Sequence, residues 1–256
     1  MKISQIISEA EPATEIIKET AVKPYEIQVR DWSSDEAVKI LKNNCKDSLK
    51  LVKSRDTLFR GTTDRGAFLV IDPSTGVRKS TNTKNYYTIL MDNSPYFREY
   101  PARSKSLICT TDEFYARDYG TMYALVPFDG QKIGICPYSD IWFTTIRNLP
   151  LAGGEVYSFE NIELYFRRHF KLSEKDVSER KIPDTLRSLC VDKGFNPDQF
   201  YDIIDQRMSP EHTGFNLFST AAFAANRELL DRRECWVGGK VLLIRRDMLN
   251  EVIKKI

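Results

Sequence analysis

The chain has 256 residues, enough for one large domain or for one domain with an appendage. Its 41% hydrophobic and 29% charged residues are an ordinary globular mixture able to fill a core. A formal net charge of only +2, with acids and bases interspersed, excludes a dedicated DNA-coating protein, and no apolar run approaches the ~18 residues of a membrane helix.

In chain order, residues 1–10 form a short amphipathic segment in which Ile3, Ile6 and Ile7 share one helical face. Polar sequence containing Glu and Lys follows up to Pro24, and the apolar part is too short for a secretory signal. Residues 1–30 therefore read as a flexible segment ahead of the packed core, and residues 31–256 as the folded domain. Residues 31–53 are expected to form one helix, capped by Ser33 or Ser34, with Asp35 and Glu36 in the first turn. Ala37, Ile40, Leu41, Cys45, Leu49 and Val52 make its buried face. A strand is expected at 57–60 and another at 67–71. Asp72-Pro73-Ser74-Thr75-Gly76 is a turn signal. The polar cluster of Arg78, Lys79, Ser80, Asn82, Asn85 and Tyr86 reads either as a pocket lining or as a solvated loop, and 86–91 as a helix. Strands are expected at 106–110, 122–127 and 132–136. Residues 112–118 fit a short helix closed by Gly120.

Residues 148–154 read as a loop. The more charged stretch 155–208 reads as helical, with pieces at 184–190 and 197–207, so that a helical insertion spans about 150–208. Residues 219–231 read as an Ala-rich helix capped by Ser219. Residues 235–237 and 240–244 read as a strand pair or as one bulged strand around Gly238-Gly239, and 247–256 as a terminal helix. The class is α+β. The five cysteines (Cys45, Cys109, Cys136, Cys190, Cys235) and two histidines (His169, His212) show no metal-ligand spacing. Reduced, mostly buried thiols and no metal are the expectation.

Three stretches carry candidate chemistry. In Leu58-Phe59-Arg60-Gly61-Thr62-Thr63 a strand ends in an arginine, whose permanently charged fork suits two phosphate oxygens, and Gly61 permits close backbone approach. In Cys109-Thr110-Thr111-Asp112 a strand runs into hydroxyl residues that either cap the next helix or serve a ligand, ahead of Tyr115 and Tyr119-Gly120. In Arg232-Arg233-Glu234-Cys235-Trp236-Val237-Gly238-Gly239 a carboxylate opens a late strand.

In this order the three stretches resemble the mono-ADP-ribosyltransferases of the Arg-Ser-Glu class. Phe59-Arg60-Gly61 matches the family's aromatic-Arg-Gly strand. Cys109-Thr110-Thr111 with Tyr119-Gly120 matches its Ser-Thr-Ser strand end and Tyr-Gly. Glu234 with Gly238-Gly239 matches its catalytic Glu and downstream Gly turn. The match covers about residues 54–140 and 214–246. It departs from the family at Cys109, which replaces the first Ser. It departs again at Arg232, where arginine-modifying members carry a second Glu.

The resemblance implies a split β-sheet core and NAD as substrate. It implies that Arg60, Gly61, Thr62, Thr110, Thr111, Tyr115 and Tyr119 bind the dinucleotide, with Glu234, Arg60 and Thr110 as the catalytic set. Arg60 would hold the pyrophosphate. Thr110 or Thr111 would fix the nicotinamide ribose or orient Glu234, which stabilises an oxocarbenium-like charge. Tyr115 or Tyr119 would stack on nicotinamide. The acceptor, a host protein or nucleic acid, stays open.

The N-terminal segment, with Ile7-Ser8-Glu9 followed by Ala10, resembles the capsid-targeting peptide of internal head proteins of large tailed phages. That resemblance implies cleavage after Glu9 by the prohead protease, packaging inside the capsid and delivery to the host cytoplasm. The alternative is a non-catalytic internal head or host-interaction protein that keeps the fold.

Overall fold

The structure is a computed structural model. It describes residues 26–28, 32–63, 66–78, 88, 91–92, 94–143, 149–150, 156–157 and 209–256. Residues 1–25, most of the stretch 150–208 expected to be a helical insertion, and the polar cluster beyond Arg78 lie outside the described residues. So does most of the helix expected at 86–91. Within the segment 1–30 expected to be targeting or flexible, Glu26–Gln28 is a strand.

The chain is α+β, built on a nine-stranded sheet. The strands are β1 (Glu26–Gln28), β2 (Leu58–Thr62), β3 (Phe68–Asp72), β4 (Ser106–Thr110), β5 (Thr121–Pro127) and β6 (Lys132–Ile135). Then follow β7 (Leu149–Pro150), β8 (Val156–Tyr157), β9 (Asn216–Ser219), β10 (Glu234–Gly238) and β11 (Val241–Arg245). The sheet order is β1-β3-β11-β5-β2-β4-β10-β6-β9, and its pairings are antiparallel. β7 and β8 pair separately, so 149–150 and 156–157 are strand where a loop and a helical stretch were expected.

The sheet has a seam. β2 follows β5 through five paired residues, but β2 and β4 share one register pair, Phe59 with Thr110. The path of β10 into β11 shows what this seam does. These strands do not pair with each other, contrary to the expectation of a hairpin or one bulged strand. β10 lies between β4 and β6, and β11 between β3 and β5. In a flat sheet the intervening β4, β2 and β5 would separate them by about 19 Å. The link from Gly238 to Val241 can span at most about 11 Å. The sheet must therefore fold over at the seam, bringing its two halves face to face. Gly239 makes the connection with a φ of +86°.

Side-chain alternation fills the space between the halves. Leu107, Cys109, Ile133, Ile135, Cys235 and Val237 come from one half. Leu58, Leu69, Ile71, Tyr123, Leu125, Val241 and Leu243 come from the other. β5 and β11 read as nearly unbroken apolar runs because both of their faces are covered. Phe68, Val70, Ala124, Val126, Leu242 and Ile244 form the outer layer. Onto it pack α1 (Ser34–Asn44), α2 (Leu49–Ser54) and α6 (Leu249–Lys255), numbered after three short helices described below.

Residues 31–53 are thus two helices, not one. Ser33 caps α1 in a capping box with Glu36. The break lies in the loop after β5: the Asp129 N–H takes the carbonyl of Asn44 at 2.6 Å, and its carboxylate accepts the N–H groups of Lys46 at 3.0 Å and Asp47 at 2.9 Å. Those amides would otherwise continue the helical ladder. The three short helices are α3 (Glu113–Arg117), α4 (Pro210–Thr213) and α5 (Thr220–Asn226), the last capped by Ser219 as expected.

On the outer face of the β4-β10-β6 half stands Trp236, fully buried. It stacks on Tyr100 with ring centroids 6.0 Å apart and meets the edge of Phe215 at 5.7 Å.

Candidate functional site

The seam brings the three candidate stretches together. β2, β4 and β10 are consecutive in the sheet, and the register sets Phe59 opposite Thr110 and Thr110 opposite Glu234. Directly opposed residues on antiparallel strands hold their Cβ atoms about 5 Å apart on one face. Thr110 and Glu234 are therefore neighbours, with Arg60 one residue beyond Phe59.

Arg60 lies where β2 and β4 part. It is half-buried, and its Nη1 donates to the carbonyl of Ile108, which the diverging strands leave outside their common ladder. Part of its donor fork therefore pins the seam. Gly61 has a reason other than ligand approach. A Cβ there would lie 2.0 Å from the carbonyl oxygen of Ala116 and 2.9 Å from the Cβ of Tyr119. Gly120, at φ +118°, would put a Cβ 2.8 Å from the carbonyl oxygen of Thr62. The Arg-Gly and Tyr-Gly stretches are the two sides of one contact, and α3 with its C-terminal turn rests on β2 because both lack side chains there. Thr62 is buried beside this contact.

The threonines divide their work. Neither caps α3; Asp112 does, its carboxylate accepting the N–H of Phe114 at 2.7 Å. A carboxylate at that place also suits the helix dipole. Thr110 Oγ1 accepts the N–H of Asp112 at 3.0 Å. Thr111 is buried. Its Oγ1 accepts the N–H of Arg233 at 2.7 Å, and its own N–H donates to the carbonyl of Arg233 at 2.9 Å. It thereby sets the start of β10.

Glu234 is 8% exposed, an unusual place for a carboxylate. Its Oε1 pairs with Nη2 of Arg103, and its Oε2 accepts the N–H of Ile141 at 2.9 Å. Its backbone N–H donates to the carbonyl of Tyr138 at 2.9 Å. Arg103, in the single turn Arg103–Lys105 before β4, is itself 4% exposed, with its guanidinium 5.5 Å from the centre of the Trp236 ring. Sequence reasoning did not single out Arg103. A carboxylate beside Cys235-Trp236 demands a buried cation, but nothing in the order of residues says which arginine supplies it.

Several aromatic side chains of α3 and of residues 138–143 are exposed. Tyr115 is 40% and Tyr119 61% exposed, so neither is a core residue. Phe114, Tyr138 and Phe143 are exposed as well. Partial burial and the negative charges of Asp140, Glu234 and Asp118 push the Tyr119 phenol above its ordinary range. Cys109 faces the core and not the site. Burial pushes its thiol up, as it does those of Cys235 and Cys136, the last to about 12. A neutral buried thiol is no nucleophile. Among the described residues no group of three or more His, Cys, Asp and Glu is arranged to hold a metal ion, and no helix is long and apolar enough to cross a membrane.

No protein-family profile, curated protein sequence or solved structure matches the chain.

Proposed function

We propose that the chain is an NAD-dependent ADP-ribosyltransferase whose reaction centre is the seam between β2, β4 and β10. One observation carries this reading. The strand ends bearing Arg60, Thr110 and Glu234 are adjacent in the sheet, Thr110 is in register with Glu234, and Arg60 follows Phe59, the residue of β2 paired with Thr110. A dinucleotide reaching across these strand ends would meet the Thr110 hydroxyl and the Glu234 carboxylate side by side on one face, with the Arg60 guanidinium rising from the other face of β2.

In the reaction, the bond between the ribose C1′ and the nicotinamide nitrogen breaks, and its electron pair leaves with neutral nicotinamide. The sugar passes through an oxocarbenium-like state, as in glycoside hydrolysis. Glu234, aimed at a ribose hydroxyl, stabilises the positive charge as it develops. Arg60 pairs with the pyrophosphate. The nucleophilic atom of the acceptor then bonds to C1′ and its proton passes to solvent. With water as acceptor the outcome is NAD hydrolysis.

The test is nicotinamide release from NAD by the purified chain, with and without host lysate. Glu234→Gln is expected to slow release by ~100-fold or more, the scale of losing one preorganised electrostatic group. Arg60→Ala is expected to raise KM for NAD. No release from the unaltered chain under either condition, or release unchanged in both variants, would end the enzymatic reading.

A second reading is a non-catalytic protein that keeps this fold and binds a host target. The engagement of both Glu234 oxygens by Arg103 and Ile141 favours it, as do Cys109 and Arg232 where the resembled family carries Ser and Glu. Its signature is the absence of any NAD-induced thermal shift. Packaging in a phage head, followed by delivery to the host cytoplasm, rests on the N-terminal segment alone. An intact mass of virion-derived protein beginning at Ala10 is its expected signature, and a chain beginning at Met1 would remove the cleavage step.

A further inference from the structure

The carboxylate of Glu234 is held at both oxygens from two separate parts of the chain. Ile141, in the single turn Ile141–Phe143, supplies a backbone N–H to Oε2. Arg103 supplies its Nη2 to Oε1. The arginine is fixed in turn. Its backbone N–H donates to Asp92 Oδ1 at 2.6 Å, and its guanidinium lies over Trp236, which stands two residues beyond Glu234 on the same face of β10. Trp236 is locked by its Nε1, which donates to the carbonyl of Pro101 at 2.9 Å, two residues before Arg103. Strand β10 and the segment 101–103 thus grip each other twice, once through the indole and once through the ion pair.

The charge balance is local. Nε and Nη1 of Arg103 meet no hydrogen-bond acceptor among the described residues, so Glu234 is the carboxylate that offsets this buried guanidinium. A buried ion pair adds little stability against an apolar substitute of similar shape, but it fixes a geometry that an apolar pair cannot. Each Glu234 oxygen keeps one further acceptor direction after these bonds, because an ionised carboxylate offers about four.

We propose that Arg103 is the positioning residue of this site. It holds the Glu234 carboxylate in one rotamer, between its own guanidinium and the Ile141 N–H. The proposal rests on the reading of Glu234 as the group that stabilises charge in NAD cleavage. Arg103 touches no substrate, since it is 4% exposed and its guanidinium lies over the Trp236 ring.

The experiment uses the full chain with Arg103→Met and Arg103→Lys. It reads kcat and KM for nicotinamide release, and separately the hydrogen exchange of the Ile141 amide, which reports whether Oε2 is still in place. Arg103→Met is expected to lower kcat by ~30-fold or more with KM for NAD within about 2-fold, the pattern of an aim lost without loss of ground-state binding. The Ile141 amide is expected to exchange about 10-fold faster. Arg103→Lys keeps the charge without the planar fork, and is expected to recover part of both losses. An Arg103→Met chain with unaltered kcat, a loss confined to KM, or unaltered Ile141 exchange overturns the proposal. If Arg103→Met does not fold, Arg103→Lys decides alone, and unaltered kcat and exchange in that variant overturn the proposal too. If the unaltered chain releases no nicotinamide, the enzymatic reading falls, while faster Ile141 exchange in the variants still upholds the grip of Arg103 on Glu234.

Discussion

The hydroxyl of Thr111 accepts the backbone N–H of Arg233 at 2.7 Å. This bond ties the end of β4 to the residue immediately before Glu234, and it is buried. Thr111→Val keeps the shape but leaves the Arg233 N–H without that acceptor, at a cost of about 1–3 kcal/mol. Urea unfolding is expected to show a lower midpoint at constant slope, with Thr111→Ser close to the unaltered chain. Equal midpoints for all three would mean that the β10 start is held by other contacts.

Gly61 and Gly120 are expected to be intolerant of alanine for different reasons. At Gly61 the added Cβ meets a backbone oxygen at 2.0 Å, so α3 must move away from β2. Overpacking of that kind costs about 1–3 kcal/mol. At Gly120 the φ of +118° adds backbone strain on a similar scale. Thermal melts of both variants check this. A Gly61→Ala chain as stable as the original would show that α3 is not seated on β2.

Alkaline pH is expected to weaken the fold through its buried thiols. Burial raises Cys45 and Cys136 to about 12, from an ordinary value of 9.0, and raises Cys109 and Cys235 as well. The folded chain therefore keeps protons that the unfolded chain releases. The stabilisation is fully present below about pH 9 and is lost as pH rises toward the folded values. Urea midpoints should be level from pH 7 to 8 and fall between pH 9 and 11. A midpoint that holds through pH 11 would contradict the burial of these thiols. At pH 8 a thiol reagent should leave these four cysteines unmodified until the chain is unfolded.

Tyr119 and Tyr115 are both exposed, but Tyr119 lies against Gly61, the residue after Arg60. If the site takes NAD, Tyr119→Ala is expected to raise its KM by about 10-fold, the scale of one lost stacking contact, and Tyr115→Ala to leave it near the original value. The opposite ranking, measured in the same nicotinamide-release assay, would move the stacking position to Tyr115.

Local patterns announced much of the fold. The strands that became β2, β4, β5 and β6 stood out as short apolar runs, and Ser33 and Ser219 as caps, because such signals act within one turn or one pleat. The helix break after Asn44 did not, because its cause is Asp129, far along the chain and next to it only after folding. The pairing of β10 and β11 was misread for a related reason: two adjacent strands joined by Gly-Gly look like a hairpin unless the curl of the whole sheet is known. At the site, Arg60, Thr110 and Glu234 were identifiable by residue type and order. Arg103 was not, since an arginine between Ala102 and Ser104 carries no mark of burial.

By itself, then, the sequence determined most of the central strands, two helix caps, the α+β class and the residue types at the seam, since those depend on side-chain periodicity and capping among near neighbours. Only the tertiary structure decided which strands meet, that Thr110 faces Glu234, and that Glu234 lies buried against Arg103. Those relations depend on register across strands distant in sequence, and on the need to balance a carboxylate's charge once the sheet has folded over it.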